Sequence, residues 1–243
     1  MTEACELSVV LPAYREADSL RTLLPVLVPA VKALSIDSEI IVCDSMTPLD
    51  ATAEVCALHG VIYRRRTGGE AYGDAVRSGI SASQGKYVVL MDADGSHNPK
   101  ELVKLWAERE RKDVIIGSRY IKGGNTENPF ILIFMSRVLN QTYRLAFRLP
   151  VYDVSNSFRL YNGHQIRSLD LVSDNFDIVE EILIRLVYGQ AKASTKEVPV
   201  TFEQRKAGES KRNLGAFILS YLDSIKKMQR FRMEEIAREK GSN

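Results

Sequence analysis

The sequence predicts an α/β fold: a Rossmann-like, mostly parallel sheet flanked by helices. Three observations carry that expectation. Short apolar runs and helical stretches alternate five times between Leu7 and Gly117, as parallel strands joined by right-handed crossovers do. The early runs close on an acid or a glycine-rich loop, which puts Glu16, Asp44, the 64–69 loop, Asp92 and Asp94 on one rim. Ligands of such sheets bind outside the carboxyl ends of the strands. Finally, 243 residues, 45% of them hydrophobic, are enough for one large core or two small ones.

Taken in order, Leu7-Ser-Val-Val-Leu-Pro12 reads as a buried strand ended by its proline. Asp18 or Ser19 can cap the helix that carries Leu20, Leu23, Leu24 and Leu27. Glu39 to Cys43 is a second strand closing on Asp44, followed by a helix from Ala51 to about His59 and a short strand from Val61 to Tyr63. Arg64 to Gly69 is a basic loop, and Tyr72 to Ser83 is a helix. Tyr87 to Met91 is a strand, Pro99 to about Arg109 a helix, and Asp113 to Gly117 a strand. The second half is less regular. Phe130 to Leu149 is apolar and basic, Asp153 to Tyr161 is a loop entering a strand, and Asp174 or Asn175 can cap the helix that follows. Lys196 to Phe202 is an edge strand, because Pro199 cannot donate to a ladder. A basic loop from Gln204 to Lys211 leads to a final helix from about Leu214 to Lys240. The expected division is one α/β domain over 1–213 and a basic amphipathic helix over 214–243.

The formal charge of +2 offers no bulk basic signal for nucleic acid, although the segment from Arg205 to Lys240 is markedly basic. Cys5, Cys43 and Cys56 form no framework or CxxC spacing, which fits a reducing, cytoplasmic setting. Glu3 and Glu6 without a basic n-region are not a signal peptide. The longest charge-free apolar stretches are about half of the ~20 residues a bilayer span needs.

The chemistry concentrates in Asp92-Ala-Asp-Gly-Ser96. Two acids one residue apart at a strand end are poorly placed to pair and well placed to hold a hard cation against phosphates. Equally open from the residues alone, Asp94 caps the next helix and Asp92 is solvated. The absence of GxGxxG and Walker A motifs means that a nucleotide here meets side chains and a metal, not a glycine cradle.

Several segments in order resemble the family 2 glycosyltransferases of GT-A fold, in their polyprenol-phosphate (dolichol-phosphate) mannosyltransferase branch. Leu11-Pro-Ala-Tyr-Arg-Glu16 resembles P-A-Y-N-E, and Asp44 to Thr52 resembles D-D-G-S-x-D-x-T. Met91-Asp-Ala-Asp-Gly-Ser-His-Asn-Pro99 is similar to M-D-A-D-L-S-H-x-P, and Gly117-Ser-Arg-Tyr120 to G-S-R-Y. Asp153 to Tyr161 resembles D-x-T-S-G-F-R-x-Y, and Val198 to Lys211 resembles V-P-I-x-F-x-x-R-x-x-G-E-S-K. The resemblance implies that Pro12, Tyr14 and Glu16 line a base and ribose pocket, with Val42 and Asp44 on the same nucleoside. It implies that Asp92, Asp94 and Ser96 hold Mg²⁺ or Mn²⁺ on the diphosphate, with Ala93 beside them. It further implies that Arg119, Arg205 and Lys211 surround the diphosphate and the acceptor phosphate, and act with Asp94 in catalysis. The implied donor is a nucleotide sugar, GDP-mannose-like, and the implied acceptor a polyprenyl phosphate. The implied reaction is inverting and needs no strong base, since a phosphate is already ionised. The chain departs from the pattern at Cys43, where the family has an Asp, and in a following loop longer by two residues. It departs again at Arg15, at Asn156-Ser157, and at Gly68-Gly-Glu-Ala in place of G-L-G-x-A.

Rival readings stand beside these. Arg205 and Lys211 fit a solvated loop, Arg119 a structural ion pair, and Glu180 and Glu181 either a base or a helix-dipole pair. His97 reads as a turn residue, not a ligand. Phe130–Leu149 and Leu214–Lys240 each fit a packing helix or a peripheral site on the cytoplasmic face of a membrane, and a homodimer through the final helix is the rival explanation. The rival functions are a transferase with a soluble hydroxyl acceptor and a non-catalytic nucleotide-sugar-binding module.

Overall fold

The computed structural model describes residues 5–204 and 214–241, except the side chains of 214–222, 236 and 238–241. In the first half, β1 (Leu7–Pro12), β2 (Ser38–Asp44), β3 (Ile62–Arg65) and β4 (Tyr87–Leu90) alternate with α1 (Ala17–Lys32), α2 (Thr52–His59) and α3 (Tyr72–Ala82). There follow α4 (Leu102–Trp106), β5 (Val114–Ser118), β6 (Asn125–Thr126) and α5 (Phe130–Phe147). The chain continues with β7 (Arg159–Asn162), α6 (Gly163–Arg167), α7 (Ile178–Tyr188), β8 (Thr195–Pro199), β9 (Thr201–Phe202) and α8 (Leu214–Gly241). Seven strands form one sheet in the order β3-β2-β1-β4-β7-β5-β8, and β6 pairs with β9 in a second, two-stranded sheet.

The mostly parallel sheet expected from the alternation is present. Strand side chains alternate between faces, and both faces of the central strands are apolar. Leu7, Val9 and Leu11 pack with Leu20, Leu24 and Leu27 of α1 on one side. Val10 and Val88 join Val76 of α3, Tyr143 of α5 and Ile182 of α7 on the other. Gly79 lets α3 lie directly on β1, since a Cβ there would overlap Val10.

Several local expectations change. β7 runs antiparallel between β4 and β5, so those two are not neighbours. Alternation does not reveal this, because the apolar run of β7 reads the same in either direction and a helix, α5, precedes it as one precedes a parallel strand. The 196–202 strand breaks at Val200: β8 is the sheet edge that Pro199 implied, whereas β9 turns away to β6. The helix after Pro99 is a 3₁₀ turn, Pro99–Glu101, followed by the short α4. The Ala17 N–H at the start of α1 donates to Asp50 Oδ2 (3.0 Å), a cap from a distant loop instead of from Asp18 or Ser19. α7 begins at Ile178 with Asp177 at the N-cap position, and Asp174 pairs with Arg77 of α3 (3.1 Å) instead of capping the helix.

Candidate active site

The loop after β4 turns on Gly95, whose φ of +79° is left-handed and suits a residue without a side chain. The Ser96 N–H and hydroxyl donate to Asp94 Oδ1 at 3.0 and 2.6 Å, which fixes that carboxylate inside its own loop. Asn98 caps the next turn, accepting from Lys100 N–H at 3.0 Å. The capping alternative for Asp94 therefore falls away. Asp92 is anchored by its backbone N–H, which donates to His97 Nδ1 (3.1 Å), and by its Oδ1, which accepts from the Tyr72 hydroxyl (3.0 Å). With Nδ1 accepting, His97 Nε2 carries the proton and donates to Asn156 Oδ1 (2.9 Å). Asn156 Nδ2 in turn donates to the Gly117 carbonyl (2.6 Å). His97 is buried against Phe158 and Phe202, so both of its nitrogens are spent on structure.

A second part of the rim is assembled by Arg66, which is only 3% exposed. Its guanidinium donates to the carbonyls of Ala13, Asp44, Glu70 and Ala71, tying together the loops that follow β1, β2 and β3. Tyr14 stands above it, 40% exposed, with the guanidinium carbon 5.8 Å from the ring centre. Glu16 accepts from the Ser19 hydroxyl (2.7 Å). Asp44 closes β2 and accepts from the Tyr63 hydroxyl (3.2 Å). Burial raises the Asp44 carboxyl above its usual range, and hydrogen bonds from Ser45 N–H and Tyr63 only partly hold it down. The folded protein therefore binds this proton more tightly than the unfolded chain does. Stability from this group rises as pH falls through the raised value, and it levels off below the ordinary carboxylate range. Asp44→Asn is expected to raise the melting temperature at neutral pH, and to remove this part of the gain on acidification. Thermal melts of both proteins from neutral pH to about pH 4 check it.

The third part is an ion pair. Arg119 Nε and Nη2 donate to the two oxygens of Asp153 at 2.8 and 2.7 Å, and the Arg119 N–H adds a third bond at 2.9 Å. Both residues are buried. Burial alone would lower the guanidinium pKa, but the Asp153 charge reverses this, and Asp92 is close enough to contribute in the same direction. Glu197 of β8 accepts from the N–H groups of Tyr152 and Asp153, and Asn140 of α5 from those of Val154 and Ser155, all at 2.9 Å. Ser136 of α5 sits within 3.4 Å of both Arg119 and Ser155.

The rim thus gathers Tyr14, Glu16, Asp44, Asp92, Asp94, Ser96 and Arg119 at strand ends. Pro12, Val42 and Ala93 are buried, and the Val42 and Ala93 side chains pack within the core on the α1 face. Arg205 and Lys211 lie outside the described residues. The chain leading to them is nevertheless placed: Glu203 N–H donates to the Ser96 carbonyl (2.8 Å), and Asn98 Nδ2 donates to Glu203 Oε1 (3.0 Å). Glu180 and Glu181 are both fully buried, and Glu181 is filled by the N–H groups of Val172 and Ser173 and by Arg185. Among the described residues no cluster of three or more His, Cys, Asp or Glu side chains is arranged to hold a metal. Sequence reasoning missed Arg66, Tyr72 and Asp153 as site residues. The triple arginine and the motif acid at 153 were visible signals without partners, and nothing in the sequence marked the Tyr72 hydroxyl.

A family model described as glycosyl transferase family 2 matches residues 8–165. The chain is 32% identical over 238 residues to a dolichol-phosphate mannosyltransferase of Pyrococcus furiosus, covering 94% of this chain and 65% of that protein. It is 29% identical to the dolichol-phosphate mannosyltransferase of Saccharomyces cerevisiae, over 93% of this chain and 88% of that one. It is 30% identical to an undecaprenyl-phosphate mannosyltransferase of Micrococcus luteus, over 85% and 87%. Among solved structures, glucosyl-3-phosphoglycerate synthase from Mycobacterium tuberculosis, in complex with Mn²⁺, UDP and glucosyl-3-phosphoglycerate, superposes with a TM-score of 0.67 at 19% identity, over 96% of this chain and 78% of that one. At that identity the likeness establishes the shared GT-A fold.

Proposed function

The chain belongs to glycosyl transferase family 2 and is a glycosyltransferase; on that premise we propose that it moves a mannose-like hexose, with inversion, from a nucleoside-diphosphate sugar to a polyprenyl phosphate. The observation that carries the reading is the pair Asp92 and Asp94, held in a rigid loop at the strand end with the Arg119–Asp153 pair beside it. Relatives named for dolichol- and undecaprenyl-phosphate support the acceptor class. The division into a catalytic domain over 1–213 and a basic helix over 214–243 belongs to the same proposal.

Two carboxylates with no third acidic, His or Cys ligand among the described residues suit Mg²⁺ or Mn²⁺, hard ions that complete their shell with substrate phosphates and water. Asp92 and Asp94 would hold the ion, with Ser96 fixing Asp94, and when bound it neutralises charge on the departing diphosphate. Solved relatives of the same fold contain Mn²⁺ or Mg²⁺ with UDP. Tyr14, Glu16 and Asp44 would orient the nucleoside, on loops that Arg66 locks together. An acceptor phosphate oxygen attacks the anomeric carbon as the bond from that carbon to the diphosphate breaks, and the electron pair leaves with the diphosphate. The attacking oxygen carries no proton, so no base is required, in keeping with the burial of Glu180 and Glu181. Arg205 and Lys211 are proposed to reduce the repulsion between the two anions, whereas the Arg119 charge is spent on Asp153 and leaves that residue a fixed dipole beside Asp92.

The acceptor also gives a role to α5. Phe130, Ile131, Phe134, Val138 and Leu145 are exposed along one helical face, with Arg137, Arg144 and Arg148 at its margin. The opposite face buries Asn140, Tyr143 and Phe147. An apolar stripe edged with arginine matches the boundary of an anionic bilayer. No helix among the described residues is long and apolar enough to cross a membrane. Replacing Phe130 and Phe134 together by Ser is expected to reduce sedimentation with anionic vesicles by about tenfold or more, with unchanged melting temperature. Equal sedimentation would remove the membrane role of α5.

The reaction is tested by supplying Mn²⁺, polyprenyl phosphate and a panel of labelled nucleotide sugars, then extracting lipid. Label in the lipid phase with stoichiometric nucleoside diphosphate is expected. Transfer only to soluble hydroxyl compounds, or nucleotide binding without turnover, would overturn the proposal.

A further inference from the structure

Asp92 is held by residues to which neither the motifs nor the mechanism above gives a role. Tyr72, the first residue of α3, donates its hydroxyl to Asp92 Oδ1 at 3.0 Å. Its ring is stacked on Phe176, with centroids 4.4 Å apart and planes 27° from parallel. Phe176 belongs to the 172–177 loop, and that loop is itself fastened to α3. Gly73 N–H donates to the Asp174 carbonyl (2.7 Å), and Arg77 bridges to the Ser173 carbonyl and the Asp174 carboxylate. Gly73 permits this seat, since a Cβ there would collide with the Ser173 carbonyl. The opposite side of Asp92 is fixed by the His97–Asn156–Gly117 chain, which uses one of the positions where the sequence departs from the family pattern.

We infer that Tyr72 is a positioning residue for the cation site: its hydroxyl, donating to Asp92 Oδ1, fixes the rotation of that carboxylate before a divalent cation arrives. An unrestrained carboxylate rotates about its last bond and must be ordered when the ion arrives. Here that ordering is already present in the protein, because the ring supplying the hydroxyl is stacked on Phe176 and its backbone opens α3. Tyr72 also makes the geometry of Asp92 depend on the seating of the 172–177 loop, which leads from α6 into α7. This inference rests on the metal reading of Asp92 and Asp94.

Tyr72→Phe separates the hydroxyl from the ring, since the stack on Phe176 survives it. Mn²⁺ is titrated calorimetrically into wild type, Tyr72→Phe and Asp92→Asn, each with GDP and separately with UDP, and melting temperatures are recorded without metal. Wild type is expected to bind Mn²⁺ in the presence of at least one nucleotide, and Asp92→Asn to lose that binding. Tyr72→Phe is expected to bind about five- to tenfold more weakly, the net value of one charge-assisted hydrogen bond, with an unchanged melting temperature. Wild-type affinity in Tyr72→Phe, with binding lost in Asp92→Asn, would overturn the positioning role and leave the metal reading standing. Absence of Mn²⁺ binding in wild type with either nucleotide, or full binding in Asp92→Asn, would overturn both.

Discussion

Replacing Asp92 by Asn is expected to lower sugar transfer on the order of a thousandfold while leaving the fold intact. The amide oxygen of Asn can still accept from the Tyr72 hydroxyl, and the backbone N–H that meets His97 is unaltered. Only the charge is removed. A hard cation bound by two carboxylates and otherwise by phosphate and water depends on that charge, and the diphosphate leaves far less readily without the ion. Asp94→Asn should have a comparable effect on transfer with a small loss of stability, because the Asp94 carboxylate also gathers the Ser96 N–H and hydroxyl. Steady-state transfer assays at saturating Mn²⁺, together with melting temperatures, separate the two. Either variant retaining more than a tenth of wild-type turnover would remove that residue from the proposed site.

The second large effect concerns stability. Asp153→Ala is expected to cost about 3–5 kcal/mol, read as a shifted urea midpoint. It leaves the Arg119 guanidinium buried without its counter-charge, and it strands donors that Asp153 now satisfies. Removing both charges with apolar residues of similar volume, as in Arg119→Met with Asp153→Leu, should cost less than the single change. A double variant less stable than Asp153→Ala would show that the pair matters through more than mutual neutralisation. Arg119 is thus the ion pair that the sequence allowed as an alternative. It still lies beside Asp92, whose charge it feels, so the pair contributes fixed dipoles to the rim while placing little net charge there.

How much of this was legible follows from the range of each signal. β1, β2 and β4 are continuous apolar runs closed by an acid or a proline, and such runs report burial locally. The same logic puts Asp44, Asp92 and Asp94 on one rim from the sequence alone. β7 was legible as a strand but not in direction, because Phe158 to Tyr161 looks the same whether it runs up or down the sheet. Partners far apart in the chain were invisible. Asp50 caps a helix 33 residues earlier, and Arg119 pairs with an acid 34 residues later. Tyr72 looked like the first residue of a helix and became a neighbour of Asp92 only through the crossover. The Asn at 156 registered as a deviation from a motif, and the fold gives it a task, bridging His97 and Gly117.

α5 faces two ways. One side carries the exposed Phe130, Phe134 and Val138, and the other sends Ser136 and Asn140 to the segment that holds Arg119. If α5 lies on a bilayer as proposed, only the width of one helix, about 10 Å, separates that bilayer from the segment holding Arg119. On the proposed reading, the charged head of the acceptor reaches the donor without its hydrocarbon tail leaving the leaflet. Encounter then becomes a search in two dimensions. Its rate is set by the lateral density of acceptor in the leaflet and the dwell time of the protein on it, and bulk concentration ceases to be the relevant variable.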